Sequence, residues 1–118
     1  MATFELANNK LIIQQGATYT LSINFKDSNG VTRDLSSYTA RMQGRIEYDS
    51  DATVFSLTEL SGIALAATNP NCIITMTAAI TAGFDAPLFG VYDLELVNGP
   101  VVERGLEGVF EVTPEVSR

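Results

Sequence analysis

The chain contains no histidine. Imidazole is the side chain most often used as a general base near neutral pH, so no Ser-His or Cys-His pair can be assembled from these residues. Tryptophan is absent too, and only four tyrosines and six phenylalanines are present, which leaves few exposed rings for a sugar to stack on. The single cysteine, Cys72, cannot close an intrachain disulfide. It stands in the apolar run Cys72-Ile73-Ile74 with no cation beside it to lower its pKa, and it reads as a core thiol. Cations are scarce: seven Lys and Arg face fourteen Asp and Glu, a net charge of -7, which repels nucleic acid over most of the surface. No run of about eighteen apolar residues is available to span a bilayer. The start, Met1-Ala2-Thr3-Phe4-Glu5, lacks the basic and apolar regions of a secretory signal, so synthesis and folding in a cytoplasm are expected.

Carboxylates are the remaining source of chemistry. Asp93 with Glu95, and Glu107 with Glu111, would each lie on a common strand face, where outward carboxylates are the ordinary dress of a solvated strand. Asp49-Ser50-Asp51 begins like a calcium loop, but neither the sharp-turn glycine nor the closing glutamate follows at the required spacing. Gly105 and Gly108 have no Lys-Ser or Lys-Thr after them to make a phosphate cradle. The expectation is a protein without catalytic residues, metal, cofactor or small-molecule substrate.

What is present is alternation. From Thr18 to Lys26, Tyr19, Leu21, Ile23 and Phe25 alternate with polar residues, and Asp27-Ser28-Asn29-Gly30 then supplies a turn. The same period returns from Thr39 to Ile46, broken at Gly44, where a bulge or a close backbone approach is expected. Shorter β-branched runs occupy Thr53 to Leu57 and Cys72 to Thr77. The stretch 78–85 has good helix formers and predicts one or two helical turns, ended by Gly83 and Pro87. Gly90 to Leu96 alternates with Tyr92, Leu94 and Leu96 inward; Asn98-Gly99 signals a hairpin, and Val101 to Val112 is its partner strand. On that partner Leu106, Gly108, Phe110 and Val112 share one face, and Glu103, Glu107, Val109 and Glu111 the other.

With 46% hydrophobic residues in 118, the chain holds enough apolar surface for one core of ordinary size. Seven to eight mainly antiparallel strands, turns at roughly ten-residue spacing and no sustained helical period predict an all-β, immunoglobulin-like two-sheet β-sandwich with a short helical turn near 78–85. A single domain over 1–118 is expected, with 1–9 and 113–118 as terminal arms. If the strands from Thr39 and from Gly90 are neighbours, Arg41 and Arg45 face out toward Asp93 and Glu95, a charge pattern that would fix orientation when one subunit docks on another. The N-terminal segment, apolar at Phe4, Leu6, Leu11, Ile12 and Ile13, is suited to adding a strand to a neighbouring sheet. The candidate protein-interface residues are therefore Phe4, Leu6, Leu11, Ile13, Arg41, Arg45, Asp93 and Glu95.

Two stretches carry a family resemblance. One is Gln15-Gly16-Ala17-Thr18-Tyr19-Thr20-Leu21-Ser22-Ile23-Asn24-Phe25-Lys26-Asp27-Ser28-Asn29-Gly30, followed by Asp34-Leu35-Ser36-Ser37-Tyr38-Thr39-Ala40-Arg41-Met42. The other comprises Tyr92-Asp93-Leu94-Glu95-Leu96 and the ending Leu106-Glu107-Gly108-Val109-Phe110-Glu111-Val112-Thr113-Pro114-Glu115-Val116-Ser117-Arg118. In these the chain resembles small immunoglobulin-like virion structural proteins of tailed bacteriophages, akin to the N-terminal domain of phage baseplate upper proteins. The resemblance implies a structural part of the particle, located in the virion, with other virion structural proteins as partners and a homo-oligomer or ring as its form. It implies no cofactor and no catalytic residues, and, with the net charge and the lack of a spanning run given above, no nucleic-acid, membrane or small-molecule partner is expected. A tail or baseplate adaptor or stabilising ring is the leading expectation; a capsid decoration protein and a host-glycan-binding module, the latter using Tyr38 and Tyr48, are the alternatives.

Overall fold

A computed structural model describes residues 10–116. Eight strands and one short helix follow in the order β1 Leu11–Gln14, β2 Tyr19–Ile23, β3 Thr39–Arg45, β4 Phe55–Glu59, β5 Gly62–Leu65, β6 Cys72–Met76, α1 Ala78–Ala82, β7 Leu88–Asn98 and β8 Val101–Thr113. Alternation places one face of each long strand inward. On β7 the buried positions are Gly90, Tyr92, Leu94 and Leu96, as the two-residue period requires of a strand with one dry face. The expected helical turn is α1: Thr77 Oγ1 accepts from the Ile80 amide at 3.3 Å and caps it, and Gly83 ends it. The expected turn after β2 forms around Gly30, at φ 80. Asp27 Oδ1 fixes it by accepting from the amides of Asn29 and Val31 at 2.8 and 3.0 Å.

Hydrogen bonding links the strands in one continuous order, β1-β8-β7-β3-β4-β5-β6-β2. The order turns over between β4 and β5, which meet through only two parallel register pairs, Thr58 with Gly62 and Glu59 with Ile63. Two layers result, β1-β8-β7-β3-β4 and β5-β6-β2. Their inner faces meet in one cluster of buried side chains, Leu11, Ile13, Met42, Leu57, Ile74, Leu94 and Phe110 among them. With β3, β7 and β8 in one layer, β2, β6 and β5 in the other, and β1 running parallel to β8, the chain is an all-β, immunoglobulin-like sandwich.

Three details depart from the sequence pattern. At Gly44, expected to mark a bulge or a close backbone approach, a side chain makes the approach: the register with Phe55 and Tyr92 is unbroken, and the Phe55 ring fills the space a Cβ would need. The bulge lies in β8, where Leu94 pairs with Leu106 but Glu95 pairs with Arg104. Gly105 is the extra residue, and from there to the N-terminal end of β8 the inward and outward positions exchange. Glu103 thus leaves the face of Glu107. It meets the Arg33 guanidinium in a two-pronged pair at 2.8 and 2.9 Å, a geometry that suits the planar fork of arginine. These bonds hold the Glu103 carboxyl below the usual carboxylate range. The third departure is β5, a strand the sequence pattern did not show.

The turn joining β4 to β5 stores strain at Leu60, whose φ is 67. A leucine in the left-handed region crowds its Cβ against the following carbonyl, at about 1–2 kcal/mol. The turn is kept in place by Leu60 N–H donating to Ile63 O at 2.9 Å and by reciprocal bonds between Thr58 and Ser61. Leu60 is 93% exposed, so its side chain contributes almost no packing in return. Replacing Leu60 with asparagine, which tolerates this backbone, is expected to stabilise the fold by about 1 kcal/mol. The check is urea unfolding, where the midpoint should rise at constant slope.

Candidate protein-interaction surface

The outer face of the five-stranded layer gathers most of the polar residues singled out by the sequence. Register sets them in rows. Thr58, Arg41, Glu95 and Arg104 lie across β4, β3, β7 and β8; Ser56, Gln43, Asp93 and Glu107 form the next row. Beyond these come Arg45, Val91 and Val109, then Phe89, Glu111 and Ile12, the last on β1.

The expected Arg41–Glu95 contact is present, Arg41 Nε to Glu95 Oε1 at 2.6 Å. Arg45 behaves differently from expectation. Its Nη1 donates to the Ser50 and Asp51 carbonyls at 2.8 Å each, and its Nη2 donates to Gln43 Oε1 at 3.0 Å, because the chain after β3 curls back over the strand end and offers carbonyls closer than any carboxylate. Asp93 is met instead by Arg104, at 3.6 Å, and Arg104 also reaches Glu107 at 3.2 Å. Desolvation, assisted by repulsion from Glu95, pushes the Asp93 carboxyl above its ordinary pKa. Sequence reasoning missed Arg104. The signal that could have found it is the pair Gly105 and Gly108 inside a strand, since a glycine there often marks a bulge and so a change of face.

Leu11 and Ile13, expected as interface residues, are fully buried. The parallel pairing of β1 with β8 turns them into the chain's own core, so they are removed from the candidate interface. Ile12, between them, points out and is 55% exposed. Phe4 and Leu6 lie outside the described residues. Around the charged rows sit further exposed apolar side chains, Phe89, Val109 and Val102.

The charges of this face balance. Lys10, Arg41, Arg45 and Arg104 stand with Asp93, Glu95, Glu107 and Glu111, and Lys10 Nζ bonds Glu111 Oε1 at 2.9 Å. The other described residues hold two cations, Lys26 and Arg33, against nine carboxylates. The face is thus a neutral, cation-rich area on an acidic molecule. Surface pairs of this kind add under about 1 kcal/mol each to folding, whereas complementary charge steers association and fixes its register.

The tyrosines considered for sugar binding do not form one platform. Tyr48 is 83% exposed, while Tyr38 packs under Arg33, whose guanidinium carbon is 5.6 Å from the ring centre. Tyr38 precedes the seven-residue β3 and Tyr48 follows it, and Tyr48 lines a hollow of the outer face with Gln43, Val91, Asp93, Arg104 and Glu107, away from Arg33 and Tyr38. The Cys72 thiol is buried, and burial pushes it up to about 12. Among the described residues no cluster of three or more Cys, Asp or Glu is placed to hold a metal ion.

No family model matches this sequence, and no curated protein matches it. Among solved structures, the chain is similar to murine CRIg at 10% identity, covering 98% of each chain with a TM-score of 0.46.

Proposed function

We propose that this chain is a non-enzymatic structural component of a tailed-phage virion, a tail or baseplate adaptor or stabilising ring protein that works through contacts with other virion proteins. The sequence resemblance over residues 15–30, 34–42, 92–96 and 106–118 supports the virion setting. The observation that supports the mode of action is the outer face of the β1-β8-β7-β3-β4 layer, neutral in charge and edged with exposed apolar side chains on a molecule of net charge -7. Arginine and aromatic side chains are enriched at protein contact surfaces, and complementary charges of both signs set the register of the contact. A chain without histidine offers little for general acid-base catalysis at neutral pH.

Fractionation of disassembled particles tests this reading. The chain is expected in the tail fraction, detected by peptide mass spectrometry. Recovery with empty capsids would move it to the decoration role, and absence from particles would overturn the virion assignment.

A further inference from the structure

We propose that the outer face of the β1-β8-β7-β3-β4 layer binds a second copy of this chain about a two-fold axis running parallel to the strands, midway between β3 and β7. The inference deepens the reading of that face as a protein contact surface and does not depend on the location in a particle.

The first step is electrostatic. Two copies of a molecule with net charge -7 repel each other over most approaches. The repulsion is concentrated away from this face, where four cations balance four carboxylates. The outer face of β5-β6-β2 is also free of charge, but it presents Thr20, Ser22, Ala64, Ile73 and Thr75, which offer small uncharged groups and no complementary pairs to set a register.

The second step is the register itself. A two-fold interface must be self-complementary, with residue i meeting j and j meeting i. Sheets stacked face to face sit about 10 Å apart, so each outward side chain meets the row opposite it. An axis along β7 would set Asp93 on Asp93 and Glu95 on Glu95. An axis between β7 and β8 would set Asp93 on Glu107. An in-plane axis perpendicular to the strands would bring Arg41 onto Arg45 of the partner if it crossed at the Gln43–Asp93 row, Arg41 onto Arg41 if it crossed at the Arg41–Glu95 row, and Glu95 onto Asp93 if it crossed between them. Among the strand residues of these rows, an axis between β3 and β7 sets no like charges on each other. It lays Arg41 of one copy over Glu95 of the other, and the reverse, with Gln43 over Asp93 and Arg45 over Val91. The outer columns are compatible as well, since Thr58 meets Arg104 and Ser56 meets Glu107. Arg41 has room to serve both copies: its side chain is 54% exposed beside its own Glu95, and a guanidinium carries five donors.

The test is a charge-swap pair on the full chain, followed by light scattering and analytical ultracentrifugation. The wild type is expected to be a dimer at micromolar concentration, weakened by added salt. Arg41→Glu and Glu95→Arg should each weaken self-association at least about tenfold, because each places like charges across the axis twice. Mixed in equal amounts, the two variants should form a heterodimer, since both cross-axis contacts become opposite in sign. That recovery separates the inference from a fold defect, which mixing cannot repair. Ser22→Glu, on the opposite layer, should leave the dimer intact. A monomeric wild type, or singly substituted chains that dimerise as the wild type does, would overturn the proposal. A dimer with the expected swap pattern from a chain absent from particles would remove the virion assignment alone. A chain found in tails but monomeric in solution would remove the dimer alone.

Discussion

Replacing Asn71 with alanine is expected to destabilise the fold by about 3 kcal/mol, because it strips partners from three backbone groups at once, two of them in buried hydrogen bonds and one half-buried. Asn71 is fully buried. Its Oδ1 accepts from the Phe25 amide at 2.8 Å, and its Nδ2 donates to the carbonyls of Phe25 and Arg33 at 2.8 and 2.9 Å. The side chain thereby continues the β2–β6 ladder, which ends at the Ile23–Cys72 pair, by acting as a surrogate peptide. Its own carbonyl accepts from Ala66, whose carbonyl accepts in turn from Leu35. One residue ties the extension of β2, the segment around 33–35 and the loop before β6. A loss of that size should lower the melting temperature by roughly 10–15 °C for a domain of this length. Asn71→Asp is the informative companion. A carboxylate keeps the bond from the Phe25 amide but faces two carbonyls, so its pKa in the folded state would be raised. The sign follows: the acidic, protonated form is tolerated, and stability falls as pH rises through that pKa. Thermal melts by circular dichroism at pH 4 and 7 should therefore separate the two variants. Alanine should show no such added pH dependence, and a drop below about 1 kcal/mol for it would mean that water replaces the side chain.

Much of this architecture was readable from the period of the hydrophobic residues. Tyr19 to Ile23, Thr39 to Arg45 and Gly90 to Leu96 alternate because each has one buried and one wet face, and a shift of one residue would expose the whole apolar set. The Arg41–Glu95 contact followed from placing β3 beside β7. Elements governed by distant partners were not readable. Four-residue β5 buries only Ile63 among its side chains, and its strand character comes from pairing with Ile74 and Cys72. Leu11 and Ile13 announce an apolar strand, but no local signal says whose sheet it joins. Its parallel partner, Phe110 to Thr113, lies a hundred residues away. Arg104 was hidden by the bulge at Gly105, which reverses the parity on which every face assignment in β8 depends.

Gly90→Ala is the second substitution with a large expected effect, about 3 kcal/mol, the upper part of what overpacking a tight core usually costs. Gly90 is buried on the inner face of β7. A Cβ there would strike the Arg45 carbonyl oxygen and lie 2.6 Å from the ring of Phe110. Neither neighbour has room to yield. The carbonyl belongs to the end of β3, and Phe110 is held edge-on against Phe55, with ring centres 5.2 Å apart. Gly44, on the adjacent strand, gives a contrast. A Cβ there has the Phe55 ring as its nearest neighbour, 2.6 Å from its Cζ; that ring is itself packed against Phe84 and Phe110, but no strand carbonyl is among the three atoms nearest the Cβ. Gly44→Ala should therefore cost less, about 1–2 kcal/mol. The ranking tests the reason, since a generic intolerance of side chains in strand glycines would make the two equal in urea unfolding. It also bears on the outer face. Displacing the Arg45 carbonyl moves the end of β3, and with it the guanidinium that pins Ser50 and Asp51. Gly90→Ala should weaken self-association more than Gly44→Ala does, while both retain Arg41 and Glu95.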